Sequence, residues 1–328
     1  MAAMDIEDSQ DLPWVEKYRP NSLEDLVAHE HIISTVQKFV REKKLPHLLF
    51  YGPPGTGKTS TILAVAREMY GPNFASMTLE LNASDDRGIN VVREQIKQFA
   101  STQQIMTRGI KLVILDEADS MTNAAQFSLR RIIEKYTKST RFCLICNYVS
   151  KIIPALQSRC TRFRFTPLPY EVAAQRVTQI CQNENIQIQE DGLKALLELG
   201  VGDMRKNLNI LQSTAMAFDR VDSHAVYAST GNPHPQLIER VVEVLLSGNF
   251  NEVFSELNET RVASGFALND ILKELHKTVM KVEFPEKMKL FLVQRMSEIE
   301  LRLTQGSNDK LQLGSLVGAF VESRNLQI

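Results

Sequence analysis

From residue 47 to residue 165, short apolar runs alternate with stretches in which apolar residues recur every three or four positions. The runs HLLFY (47–51), MTLEL (77–81), IKLVILD (110–116), RFCLICN (141–147) and TRFRF (161–165) predict strands. The stretches at about 58–70, 88–101 and 122–137 predict helices. An uninterrupted run such as LVIL suits a strand covered on both faces, so this half is expected to be α/β with a parallel sheet. In TRFRF, Phe163 and Phe165 alternate with Arg162 and Arg164, the pattern of a half-buried strand. After PLPY (167–170) the strand signal stops, and segments at 171–184, 190–200, 203–218 and 222–229 read as a small helical domain. TGNPHP (230–235) has the composition of a linker. Beyond it, amphipathic segments at 237–248, 251–263, 267–282 and 286–305 predict a helical bundle devoted to packing or assembly. The expected domains are therefore 1–169, 170–231 and 232–328.

Composition narrows this little. A chain of 328 residues with 43% hydrophobic residues suits two or three globular domains. A formal charge of -1 predicts no nucleic-acid partner from the total, so any basic surface must be a local patch. The opening MAAMDIEDSQD is acidic and polar and no apolar run reaches transmembrane length, so an intracellular chain without a membrane partner is expected. Cys143 and Cys146 are spaced as in a metal site, but residues three apart on a strand face opposite sides and cannot share one ion.

The chemistry concentrates after the first strand. In LLFYGPPGTGKTS, the residues Gly52, Pro53, Pro54, Gly55, Thr56, Gly57, Lys58 and Thr59, followed by Ser60, fit the phosphate-binding pattern between a strand and a helix. Gly55 and Gly57 let successive backbone N–H groups converge on phosphate oxygens, and the helix N-terminus adds a favourable dipole. Lys58 supplies a charge for the β- and γ-phosphates, and Thr59 a hydroxyl for Mg²⁺. KLVILDEAD then delivers Asp116 to the carboxyl end of a strand, as a second Mg²⁺ ligand, and Glu117 to polarise an attacking water. Alone, this acidic run also fits a helix N-terminus.

Three further residues are ambiguous on pattern alone. Asn147 ends a strand and is either a turn residue or a group that orients the water. Arg205 falls in the first turn of a helix capped by Gly202-Asp203, where the dipole disfavours a cation; it is either a ligand of something else or a solvated partner of Asp203. Arg159, in LQSRC, has no visible local partner and is either an interfacial cation or the cap of its own helix.

The order of P-loop, DEAD, strand-end Asn, SRC and GDMR resembles an AAA+ ATPase of the clamp-loader group, and LPWVEKYRP, LNASDDRG and LQSRC are similar to boxes of the eukaryotic replication factor C small subunits. The resemblance runs from about Leu12 to the C-terminus. It implies an AAA+ domain, a helical lid and a helical collar, with ATP and Mg²⁺ as cofactors. It implies that Val15, Arg19 and Val27 lie around the adenine, where pattern alone makes Trp14 and Tyr18 core aromatics and Arg19 a surface charge. It implies that Arg205 reaches the γ-phosphate of its own subunit and Arg159 that of a neighbour, in trans.

The same resemblance implies a nuclear hetero-pentamer with other replication factor C subunits, acting in replication and repair. Its partners would be a sliding clamp and primer-template DNA held without sequence specificity. The matching DNA segments are SDDRGINVVRE, with Arg87, Ile89 and Arg93, and MTNAAQ; the alternative is that Asp85 or Asp86 caps the helix and pairs with Arg87. Phe99, Ile105 and Met106 would face the clamp, although Phe99 also fits a buried helix face. The competing classes are another AAA+ remodeller or helicase ring and a non-hydrolysing, nucleotide-gated scaffold. The segment LNASDDRGINVV lacks the aromatic of a threading pore loop, and Glu117, Asn147 and Arg205 weigh against the scaffold.

Overall fold

The computed structural model describes residues 12–324 apart from 24, 27, 43, 85–88 and 103–108, and only the backbone of 89–93. The chain divides into two compact units, Met1–Met216 and Ala217–Ile328. The expected boundary at 169/170 falls inside the first unit and that at 231/232 inside the second.

The first unit is built on five parallel strands: β1 Leu48–Tyr51, β2 Thr78–Asn82, β3 Lys111–Asp116, β4 Thr140–Cys146 and β5 Thr161–Arg164, in the order β2-β3-β4-β1-β5. Alternate residues feed two cores. Leu48 and Phe50 of β1, Leu112 and Ile114 of β3, and Cys143 and Ile145 of β4 pack with Ile32 and Val36 of the helix Glu30–Arg41 and Ile62 and Val65 of Lys58–Tyr70. Leu49, Val113, Leu115, Leu144 and Cys146 point the other way, onto Ile96 of Ile89–Ser101 and Leu129 and Ile133 of Asn123–Tyr136. Cys143 and Cys146 therefore belong to opposite layers, as the strand period requires. In β5, Phe165 just beyond the strand is buried and Arg162 and Arg164 are exposed. The helix Glu30–Arg41 is an element that the pattern did not single out.

Three helices complete the unit, Tyr170–Asn183, Glu190–Gly200 and Met204–Ala217, burying Val177, Ile180, Leu196 and Leu211. In the second unit, the helix Ser223–Thr230 ends on Gly231 in the left-handed region and Pro235 opens Pro235–Ser247, so TGNPHP is a tight corner between helices. Phe250–Ser264, Leu268–Lys281, Glu286–Thr304 and Asp309–Arg324 follow around one core that includes Ile238, Leu275, Leu292, Leu316 and Phe320. The pattern reading stopped short of the last of these. Its Gly314 and Gly318 lower helix propensity; they face the stacked rings of Phe254 and Phe250. Among the described residues, no helix is long and apolar enough to cross a membrane.

Candidate active site

The carboxyl ends of β1, β3 and β4 open into one cavity of about 340 Å³. At the end of β1 the chain turns through Gly52, Gly55 and Gly57, with φ of +145°, +66° and +91°, which side chains rarely tolerate. At Gly52 a Cβ would also lie 2.0 Å from the Phe165 carbonyl oxygen, so only glycine lets the loop pass β5. Lys58, 7% exposed at the start of its helix, donates to the carbonyls of Gly52 and Pro53, both at 2.8 Å, and to Asn147 Oδ1 at 3.0 Å. All three partners are neutral. Burial is the leading cause that lowers its pKa, with the Asp116 carboxylate the main opposing influence.

Thr59 Oγ1 donates to Asp116 Oδ2 at 2.7 Å, and Asp116 Oδ1 accepts from the Glu117 N–H at 2.8 Å. Hydroxyl and carboxylate oxygens held this close are the hard donors that Mg²⁺ takes beside a triphosphate, and these two residues fit the ion. Glu117 adopts a left-handed backbone, φ +52°, that turns it out of β3; its side chain is exposed and lines the cavity. Asn147 follows β4, and its backbone N–H and that of Tyr148 both donate to Asp119 Oδ2, at 3.2 and 3.1 Å. Asp119 thus holds the turn that aims Asn147. Gln126, 1% exposed, braces the same region: it donates to the Met121 and Lys151 carbonyls and accepts from the Ile153 N–H. Asp119 and Gln126 close the motifs KLVILDEAD and MTNAAQ, but the sequence reading gave neither a role.

The helix Met204–Ala217 reaches the phosphate loop directly. Asp203 Oδ1 accepts from the N–H groups of Arg205 and Lys206, the expected cap, and the Met204 N–H donates to the Gly55 carbonyl at 3.2 Å. Arg205 lines the cavity close enough to Lys58 to contribute to lowering its pKa. The N-terminal box wraps the same helices: Lys17 Nζ lies 2.5 Å from Glu184 Oε1, the Tyr18 hydroxyl donates to that oxygen, and the Trp14 N–H donates to Gln212 Oε1 at 3.1 Å. Trp14 and Tyr18 are half-buried ties rather than core aromatics. This strap sets Val15 and Arg19 in the cavity wall, Arg19 paired with Glu16 at 3.2 Å. Val172, Ile180 and Leu208 also line the cavity, and local pattern cannot tell them from core positions.

The cavity thus gathers Val15, Arg19, Pro54, Gly55, Thr56, Gly57, Lys58, Thr59, Ser60, Asp116, Glu117, Asn147 and Arg205. Arg159 is elsewhere, and the expectation that it lacks a local partner is corrected. Its Nη2 lies 2.5 Å from Glu134 Oε1 on the helix Asn123–Tyr136, and Nη1 donates to the Ala155 carbonyl at 2.7 Å. Phe99 is half-buried against a core with the Lys111 ammonium 4.8 Å from its ring centroid, the inward alternative. Val27, Arg87, Ile105 and Met106 lie outside the described residues, as do the side chains of Ile89 and Arg93. MTNAAQ opens its helix with Thr122 Oγ1 accepting from the Ala125 N–H.

A phosphate loop, an acidic strand end and a helical wall on a parallel sheet define an ATPase of the AAA+ class. The model of the "ATPase family associated with various cellular activities (AAA)" matches residues 48–168, and that of the "Replication factor C C-terminal domain" matches 233–319. Replication factor C subunit 5 of Mus musculus is 55% identical over 97% of this chain and 94% of its own length. Replication factor C subunit 3 of Saccharomyces cerevisiae is 49% identical over 96% and 94%. The chain belongs to the replication factor C family, as a small subunit of the clamp loader. Among solved structures, the Thermotoga maritima RuvB Holliday junction branch migration motor shares the fold, with a TM-score of 0.53 at 15% identity over 82% of this chain and 99% of that one.

Proposed function

We propose that this subunit binds and hydrolyses ATP with Mg²⁺ in the cavity, within a hetero-pentamer of replication factor C subunits that opens a sliding clamp and loads it onto primer-template DNA. The observation that carries the reading is Lys58: a buried ammonium held only by neutral acceptors, in a glycine-shaped loop beside Thr59 and Asp116. A triphosphate supplies the missing negative charge. Thr59 and Asp116 would hold Mg²⁺, which would supply positive charge to offset that of the triphosphate. Glu117 takes a proton from the attacking water, Asn147 orients that water, and the bond from the γ-phosphorus to the bridging oxygen breaks to release ADP and phosphate. Arg205 reads the γ-phosphate from the helical wall, and Arg159 acts on the neighbouring subunit's ATP. The helix N-termini at 89 and 123 hold DNA backbone without reading sequence, and Ile105 and Met106, without the inward-packed Phe99, face the clamp. A nuclear setting and a part in repair go with this role.

The test is clamp loading on primed DNA by the complex reconstituted with Lys58→Ala in this chain. Nucleotide binding at this site is expected to disappear and loading to fall by about tenfold or more. Unchanged binding at this site sinks the reading.

A further inference from the structure

The helix Tyr170–Asn183 ends on Glu184, an acid where the helix dipole favours a cation. Its side chain is 18% exposed, and its Oε1 lies 2.5 Å from Lys17 Nζ and accepts from the Tyr18 hydroxyl. Burial first, then the bond to Glu184, raises the Tyr18 pKa, so the hydroxyl keeps the proton it donates. In the same stretch the Trp14 N–H donates to Gln212 Oε1 at 3.1 Å, and Arg176 Nη2 donates to the Tyr18 carbonyl at 3.4 Å. Residues 14–18 are thus tied to two helices, Tyr170–Asn183 and Met204–Ala217. Past Pro20 the chain changes partner: Arg67, on the phosphate-loop helix Lys58–Tyr70, donates to Asn21 Oδ1 at 2.7 Å. The cavity therefore has two ends with different supports. Lys58, Thr59 and Asp116 stand on the sheet and its loop, whereas Val15, Tyr18 and Arg19 are carried by the helices. An apolar side chain and a phenol ring suit the face of a base and not a phosphate. Ile180, one turn before Glu184, lines the cavity, so Glu184 fixes the strap from just behind that surface.

We propose that Glu184 is a positioning residue for the base of the nucleotide: by holding Lys17 and Tyr18 it makes the strap one piece with the helices. The tie adds affinity for ATP and none for a bare triphosphate, which touches only the sheet end. Both bonds to the carboxylate are charge-assisted, so their loss frees the strap and not merely one side chain. The inference rests on the reading of the cavity as the ATP site and adds what assembles its base end.

The experiment loads the full chain with labelled ATP in Mg²⁺ and displaces it with unlabelled ATP or with inorganic tripolyphosphate. The variants are Glu184→Ala, Tyr18→Phe, which loses only the hydroxyl, and the two combined. Glu184→Ala is expected to weaken ATP about tenfold, the size of a charge-assisted hydrogen bond, with tripolyphosphate unchanged. Tyr18→Phe is expected to weaken ATP about threefold with the same indifference to tripolyphosphate, so a fold defect in Glu184→Ala leaves the split readable. The double variant is expected to match Glu184→Ala, because the hydroxyl has already lost its acceptor. Equal losses for ATP and tripolyphosphate mark a general fold defect and overturn the inference. Unchanged ATP affinity in either single variant, or a double variant whose loss is the product of the two, overturns it as well. Tripolyphosphate that displaces no ATP from the wild type overturns the division of the cavity into two ends, and the inference with it. Absence of ATP binding to the wild type overturns it together with the ATP-site reading.

Discussion

At Arg159 the same guanidinium is pinned at home and assigned work abroad. Its bond to Glu134, shared with Arg130 at 3.0 Å, is solvent-exposed, so a stronger anion can displace it. Arg159→Ala is therefore expected to leave this chain's nucleotide binding and stability unchanged while hydrolysis in the adjoining subunit drops on the order of a thousandfold. Site-resolved turnover in the reconstituted complex measures it; full activity next door would make Arg159 a local brace. A second residue-scale prediction concerns Asn207, fully buried with neither Oδ1 nor Nδ2 partnered. A Cβ on Gly200 would fall 1.6 Å from that Oδ1. Gly200→Ala should cost roughly 2 kcal/mol or more, and Asn207→Ala should stabilise by about 1 kcal/mol by removing two orphaned polar atoms. Urea melts of both variants and of the double variant decide it: strong coupling is expected, and additive effects would show that the two side chains do not collide.

His47 ties three strands together. Its carbonyl accepts from the Thr161 N–H at 2.7 Å and its Nδ1 from the Phe142 N–H at 3.1 Å, linking the start of β1 to β5 and β4. The second bond needs a neutral ring, and burial, with a smaller contribution from Arg141, pushes the pKa down to about 4. Between that value and an ordinary pKa of about 6.5 the unfolded chain binds a proton that the folded one refuses. Stability is thus complete above about pH 6.5 and falls by about 1.4 kcal/mol per pH unit as the pH drops toward 4. Urea midpoints from pH 7.5 to 4.5 check this, and His47→Gln, which keeps an acceptor, should flatten the slope. An identical slope in the variant would place the titration elsewhere. Elements also show where the sequence was legible. Strand periodicity placed Asp116 and Asn147 at strand ends because a sheet alternates faces strictly, and the glycine spacing alone located Lys58. Val172, Ile180 and Leu208 were not legible, since a residue facing a cavity and one facing a core carry the same helical pattern. Glu134 was not either: it meets Arg159 from 25 residues away, beyond any local period.

Two units with separate cores, one of them holding the cavity, predict how the whole chain responds to its ligand. The first unit's cores include Phe50 and Phe142, and the second's include Leu275, Leu316 and Phe320. Calorimetry is expected to resolve two transitions. A non-hydrolysable ATP analogue with Mg²⁺, at a hundred times its Kd, should stabilise the first unit by about 2.7 kcal/mol and leave the other transition in place. Chelating Mg²⁺ should reduce that gain, because the Asp116 carboxylate, which with Thr59 would hold the ion, would then repel the triphosphate uncompensated. Leu316→Ala, at a site 1% exposed, should do the converse, lowering the second transition by about 2–5 kcal/mol while nucleotide affinity holds. If both transitions move together with ligand and with Leu316→Ala, the two cores melt as one, and nucleotide state is then felt through the packing of the whole chain and not only through the cavity walls.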